Sequence, residues 1–229
     1  MIRALVASFA QLTDAAILGV VAKSLAITLL ILAAVGGTAV LFADDAMAWL
    51  GWQQGGLAAQ LVIALAAMAT AWLLFRAVAV PVMSLFADEI VAAVEARHYP
   101  DAARDARPVG FGTNARLALG SFGRLILFNL IALPGYIVLA VTGVGAVLLF
   151  GLVNAVLLGR DLGEMVAVRH LDAVARAGWL RATRLDRLIL GAIATGLFLI
   201  PLINLIAPVI GAAMATHLFH RSRQKGTRA

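Results

Sequence analysis

The chain has 229 residues, of which 63% are hydrophobic and only 13% charged, and its mean hydropathy is +0.99. Soluble domains are nearer half apolar and about a quarter charged, so this composition excludes a soluble globular protein and points to an integral membrane protein. The net charge of +6 then marks cytoplasmic ends of membrane segments, not nucleic-acid binding, and the lack of cysteine excludes disulfides, thiol nucleophiles and thiolate metal sites.

The opening "MIRALVASFAQL" sets Ile2, Leu5, Val6, Phe9 and Leu12 at helical spacing. It lacks the continuous apolar core and small-residue cleavage site of a signal peptide, and predicts an N-terminal amphipathic helix on the membrane surface. A first long helix is predicted over 15–43, interrupted by Lys23. Its 20 residues from 24 to 43 match a hydrocarbon core of about 30 Å at about 1.5 Å per residue. "DDAMAWLGWQQGG" follows, with two acids, two tryptophans and no Lys or Arg, as expected of a non-cytoplasmic loop with an aromatic belt. A second long helix is predicted over 57–98. Arg76 in it and Lys23 in the first stand about one membrane thickness from that loop, from where each snorkels to the opposite interface.

The remainder divides into two helical hairpins. The first covers 117–158, with Pro134-Gly135 as its break. An amphipathic connecting helix is predicted over 159–177, then a second hairpin over 185–220 and a basic tail over 221–229. The second hairpin has only 13 apolar residues, 188–200, before Pro201, too few to span, so it is expected to dip partway with Asn204 near its tip. Arg160, Arg169, Arg176, Arg181, Arg184 and Arg187 share one polar segment, and Arg221, Arg223, Lys225 and Arg228 lie in the tail. That bias places both termini in the cytoplasm. The fold class read here is an all-α integral membrane protein in a single membrane domain, 1–229: two long transmembrane helices plus two hairpins, each crossing fully or only in part. Half-inserted hairpins need protein around their tips, because lipid cannot bond free backbone groups, and this predicts a homo-oligomer.

This order of elements, with "NAVLLGRDLGEMVAVRHL" over 154–171 and "LIPLINLIAPVIGAAMATHLF" over 199–219, resembles the etoposide-induced-protein family, which includes the CysZ-type bacterial sulfate permeases. The resemblance implies an oligomeric protein of the bacterial inner membrane. It also implies uptake of sulfate or a similar oxyanion for sulfur assimilation and cysteine biosynthesis. Those permeases share a Gly-Leu-Arg type sulfate-binding stretch at the start of the first long helix. Here "DAAILGVVAKSL" occupies that place, with Lys23 but no arginine, and no ligand residue is carried over from it.

Several side chains are candidates for an anion path. Arg160 and Glu164 are four apart and share a helix face. Arg160 and Arg169, held by Asp161 and Glu164, either form the solvated face of a cytoplasmic helix or meet an anion in a cavity; a ring at subunit contacts is the third reading. Arginine suits an oxyanion because its planar fork donates two hydrogen bonds. Arg124, inside an apolar stretch, either reaches the interface or lines the path. Asn129, Asn154 and Asn204 tie helices together or line a pore. His217 and His220 are three apart with no third ligand in sight, so no metal site is expected. No nucleophile–base pair or nucleotide motif is present, so neither an enzyme nor a cofactor is expected. The predicted partners are a small inorganic anion, the lipid bilayer and copies of the chain, with no nucleic acid. The competing reading is a non-transporting membrane scaffold or assembly factor of the same fold.

Overall fold

A computed structural model describes residues 14–41, 86–200 and 203–226, together with Thr70, Leu74, Phe75 and Val82. The expected N-terminal surface helix, the tryptophan loop, most of the second long helix, Arg76, Pro201 and the end of the basic tail lie outside these residues. The chain forms two compact units, residues 18–86 and residues 1–17 with 87–229.

The helix α1 (Ala15–Leu41) contains a stretch, Ala15–Val35, long and apolar enough to cross a membrane. Within residues 18–86 its buried positions are Val20, Ser24 and Thr28, while Leu18, Leu25, Leu29 and Leu30 point outward. The spacing of four residues makes the buried set one stripe. Its hydroxyls are satisfied locally, as an apolar surround requires: Ser24 Oγ donates to the Val21 carbonyl and Thr28 Oγ1 to that of Ser24, both at 2.8 Å. The Lys23 ammonium sits 4.6 Å from the centroid of the Phe86 ring, a cation–π contact.

The other unit holds α2 (Ala87–His98), α3 (Pro100–Arg104), α4 (Phe111–Ala140), α5 (Val144–Ala167), α6 (Ala173–Ala182), α7 (Arg184–Leu199), a 3₁₀ turn (Ile203–Leu205) and α8 (Ala207–Gly226). Every regular element among the described residues is helical, and the fold is that of an all-α membrane protein. Helices α4 and α5, of 30 and 24 residues, are about 45 and 36 Å long, and both are long and apolar enough to cross. Ala132 is the buried residue of α4; its outer face carries Leu119, Ile131 and Val138, as a lipid-facing helix should.

Two boundaries differ from the sequence reading. Pro134-Gly135 is no break: α4 runs through it to Ala140. The chain reverses instead at Thr142-Gly143, where Gly143 adopts φ +66°, a conformation glycine takes without penalty. Thr142 Oγ1 fastens that turn, donating to the Leu139 carbonyl at 2.7 Å and accepting from the Gly145 N–H at 2.9 Å. Pro134 removes only one helical hydrogen bond. Gly135 serves packing, since a Cβ there would lie 2.8 Å from Leu149 Cδ2 of α5. The second difference is at 159–177, which is not one connecting helix. Helix α5 carries on through Arg160 to Ala167, and α6 starts at Ala173 behind Asp172, whose Oδ1 accepts from the Ala175 N–H at 2.8 Å. Asp172 is an N-cap in mid-segment, the local signal for a new helix.

Helix α5 packs most extensively on α7. Ala155, Gly159 and Gly163 are buried on one face of α5. A Cβ on Gly159 would overlap the carbonyl oxygen of Arg187, and one on Gly191 that of Ala155. The backbones therefore touch, in the small-xxx-small manner that serves membrane helices where no side chain fits between them. Helix α7 has 16 residues, about 24 Å, short of the hydrocarbon core. Helix α8 is buried from Ala207 to His220 and packs on α2, α5 and α7.

Candidate functional site

The base of the α4–α5 hairpin, where α4 begins and α5 ends, opens into a cavity of about 770 Å³. Helices α4 to α7 all contribute to it. Arg124 comes from α4, Arg160 from α5, Arg176 and Arg181 from α6, and Arg184 and Arg187 from α7. Glu164 is the acid among its lining residues, so six arginines and one glutamate give a formal +5. Phe128, Leu152 and Val156 make an apolar depth behind the charged mouth.

Glu164 is the hub of this basin. Its carboxylate lies 3.4 Å from Arg124, 3.6 Å from Arg160 and 3.5 Å from Arg176. Asp161 holds Arg124 from the other side at 3.0 Å and accepts from Ser121 Oγ. Arg187 is buried and structural: it donates to the Leu180 carbonyl at the end of α6 and to Thr183 Oγ1. Arg181 and Arg184 are exposed and have no acid partner among the described residues. The arrangement thus combines arginines fixed by acids with two that are uncommitted. Chemically it can attract and hold an anion, because guanidinium donors converge on a partly enclosed space.

Arg169 belongs elsewhere. Its guanidinium lies 3.3 Å from Glu95 Oε2, on α2. The other oxygen of Glu95, Oε1, meets His170 Nε2 at 2.7 Å and His220 Nε2 at 3.1 Å. Burial opposes ionisation of Glu95, but the hydrogen bonds from His170 and His220 and the charges of His170 and Arg169 hold its pKa at about 2. His220, read from sequence together with His217 as lacking a third ligand, instead meets His170 at Glu95, an acid 125 residues before His220 and 75 before His170.

A sequence model of the family described as sulfate transporter CysZ/etoposide-induced protein 2.4 matches residues 4–208. The chain belongs to this family. No curated protein matches the chain. The match spans the whole arginine basin together with Glu95 and His170, and it ends before His217 and His220.

Of the predicted site residues of this CysZ/etoposide-induced-protein chain, the basin brings together Arg124, Arg160 and Glu164, with Asp161 bonded to Arg124. The asparagines lie apart from it. Asn129 and Asn154 each donate to the carbonyl four residues back on their own helix, at 2.8 and 2.9 Å, which satisfies them without a neighbouring helix. Asn204 is buried in the 3₁₀ turn with neither amide atom bonded among the described residues. Sequence reasoning assigned Arg176, Arg181, Arg184 and Arg187 to a cytoplasmic face and missed their convergence. One signal was available in part: Arg184 and Arg187 are three apart, the spacing that brings side chains to one side of a helix.

Proposed function

We propose that the chain carries sulfate or a similar oxyanion across the bacterial inner membrane, for sulfur assimilation and cysteine biosynthesis, with the arginine basin as the anion-binding vestibule on the cytoplasmic side. The observation that carries this reading is the basin itself, six arginines around about 770 Å³ with a single acid among them. Both termini lie in the cytoplasm, in keeping with the arginine-rich polar segments. The chain acts as a homo-oligomer, since α7 is too short to span and its tip needs surrounding protein. It acts without catalysis.

The two arginines singled out from sequence now separate, and the pair makes the test. In proteoliposomes loaded by radiolabelled sulfate influx, Arg160→Ala lowers the initial rate about tenfold to a hundredfold, the loss of one charge-assisted hydrogen bond worth about 1.5–3 kcal/mol. Arg169→Ala, outside the basin, leaves the rate within about twofold once protein folding is matched. Wild-type influx no faster than empty liposomes would sink the transport reading and leave that of a membrane scaffold. Equal loss in both variants would detach the basin from the path.

A further inference from the structure

Glu95, His170 and His220 come from three separate elements: the end of α2, the turn after α5 and the C-terminal half of α8. One carboxylate oxygen and two imidazole nitrogens meet at one point, with each ligand atom within 4.8 Å of the others. Both histidines approach the same oxygen, Oε1, instead of sharing the two. Arg169 occupies Oε2 at 3.3 Å, which fixes the carboxylate and leaves Oε1 facing the histidines. Glu95 is fully buried, and the His170 and His220 side chains are 9% and 7% exposed. An adjoining cavity of about 540 Å³ has His170 and His220 in its wall, so solvent reaches one side of the cluster.

We propose that Glu95 Oε1, His170 Nε2 and His220 Nε2 bind a divalent transition-metal ion, best matched by Zn²⁺, with water from the cavity as the fourth ligand. Zinc takes nitrogen and oxygen ligands at about 2.0–2.2 Å in a tetrahedron, which sets neighbouring ligand atoms about 3.3 Å apart. The observed separations of 2.7 and 3.1 Å need to open by only about half an ångström or less to reach it. To ligate through Nε2, each imidazole is neutral with its one proton on Nδ1; the protons shared between Nε2 and Oε1 are released to solvent as the ion takes their place. Arg169 then acts as the outer partner that orients a ligating carboxylate. The ion ties α2 and α8 to the end of α5. It stands apart from the arginine basin, and His220 lies beyond the residues that match the family.

The test uses the full-length, tag-free protein in detergent, stripped with chelator and dialysed against Zn²⁺ or Co²⁺. The expected result is about one ion retained per chain. The cobalt form should show the intense visible bands of a four-coordinate centre, and X-ray absorption of the zinc form should show two imidazole nitrogens. His170→Gln and His220→Gln each abolish retention, and His98→Ala, an exposed histidine beside the same cavity, retains the ion. Retention that survives in either Gln variant overturns the proposal, as does loss in His98→Ala. Should the Gln variants not fold, the wild-type spectrum decides. No stoichiometric ion, or an ion with fewer than two imidazoles, rules the site out.

Discussion

Gly191→Ala is expected to lower the melting temperature of the purified protein by roughly 6–12 °C, and Gly159→Ala by a similar amount. The reason is geometric. The added methyl at either position would overlap a backbone carbonyl oxygen of the facing helix. A side chain could swing aside, but a carbonyl in a helix cannot, so α5 and α7 must part along the crossing. Overpacking typically costs about 1–3 kcal/mol, and a rigid backbone neighbour puts these two at about 3 kcal/mol. For a chain of this size each kcal/mol is worth about 2–4 °C. Gly151→Ala and Gly196→Ala are the controls. A Cβ at either meets nothing within 4 Å, and alanine favours a helix by up to about 1 kcal/mol over glycine. Both should melt at or above the wild-type temperature, as followed by fluorescence-detected size exclusion after heating. A uniform drop across all four would show that helix flexibility, not the crossing, sets stability.

This crossing also shows what the sequence could and could not disclose. Hydropathy made the membrane class and the span Ala15–Val35 of α1 legible, because an uninterrupted apolar helix needs no tertiary information. The α4–α5 turn was misplaced because proline and glycine are ordinary breakers in water but are accommodated inside long membrane helices. Gly159 and Gly163 carry GxxxG spacing around the charged Arg160 and Asp161, an interior that argues against a lipid-facing dimer seam. The structure agrees on that point and supplies the alternative, a seam with α7 of the same chain. Arg160 and Glu164 could be paired by counting four residues. No count relates Arg124 to Asp161, or Glu95 to His170 and His220; those contacts exist because separate helices end at the same level. Pairings within a helix are local facts, and pairings between helices are products of packing.

The second large effect concerns the two uncommitted arginines. Reversing both, as Arg181→Glu with Arg184→Glu, takes the basin lining from a formal +5 to +1. Neither residue is buried or engaged by an acid among the described residues, so the fold should survive. Surface ion pairs and their loss count for little in stability, about 0–1 kcal/mol. Attraction of a dianion is a different matter. A charged, partly enclosed mouth raises the local anion concentration and association rate by about 10–10³-fold. Sulfate influx at about 20 mM salt is therefore expected to fall tenfold to a hundredfold in the double variant. The deficit should shrink as salt rises, because the Debye length falls to about 10 Å at about 0.1 M and to only about 3 Å at 1 M. Arg181→Lys with Arg184→Lys keeps the charge and should keep both the low-salt rate and its salt dependence. Influx in the Glu variant that matches wild type at every salt concentration would mean that anions do not pass this mouth. A deficit that persists unchanged at high salt would mean that these guanidiniums bind the anion directly, through hydrogen bonds that screening does not remove.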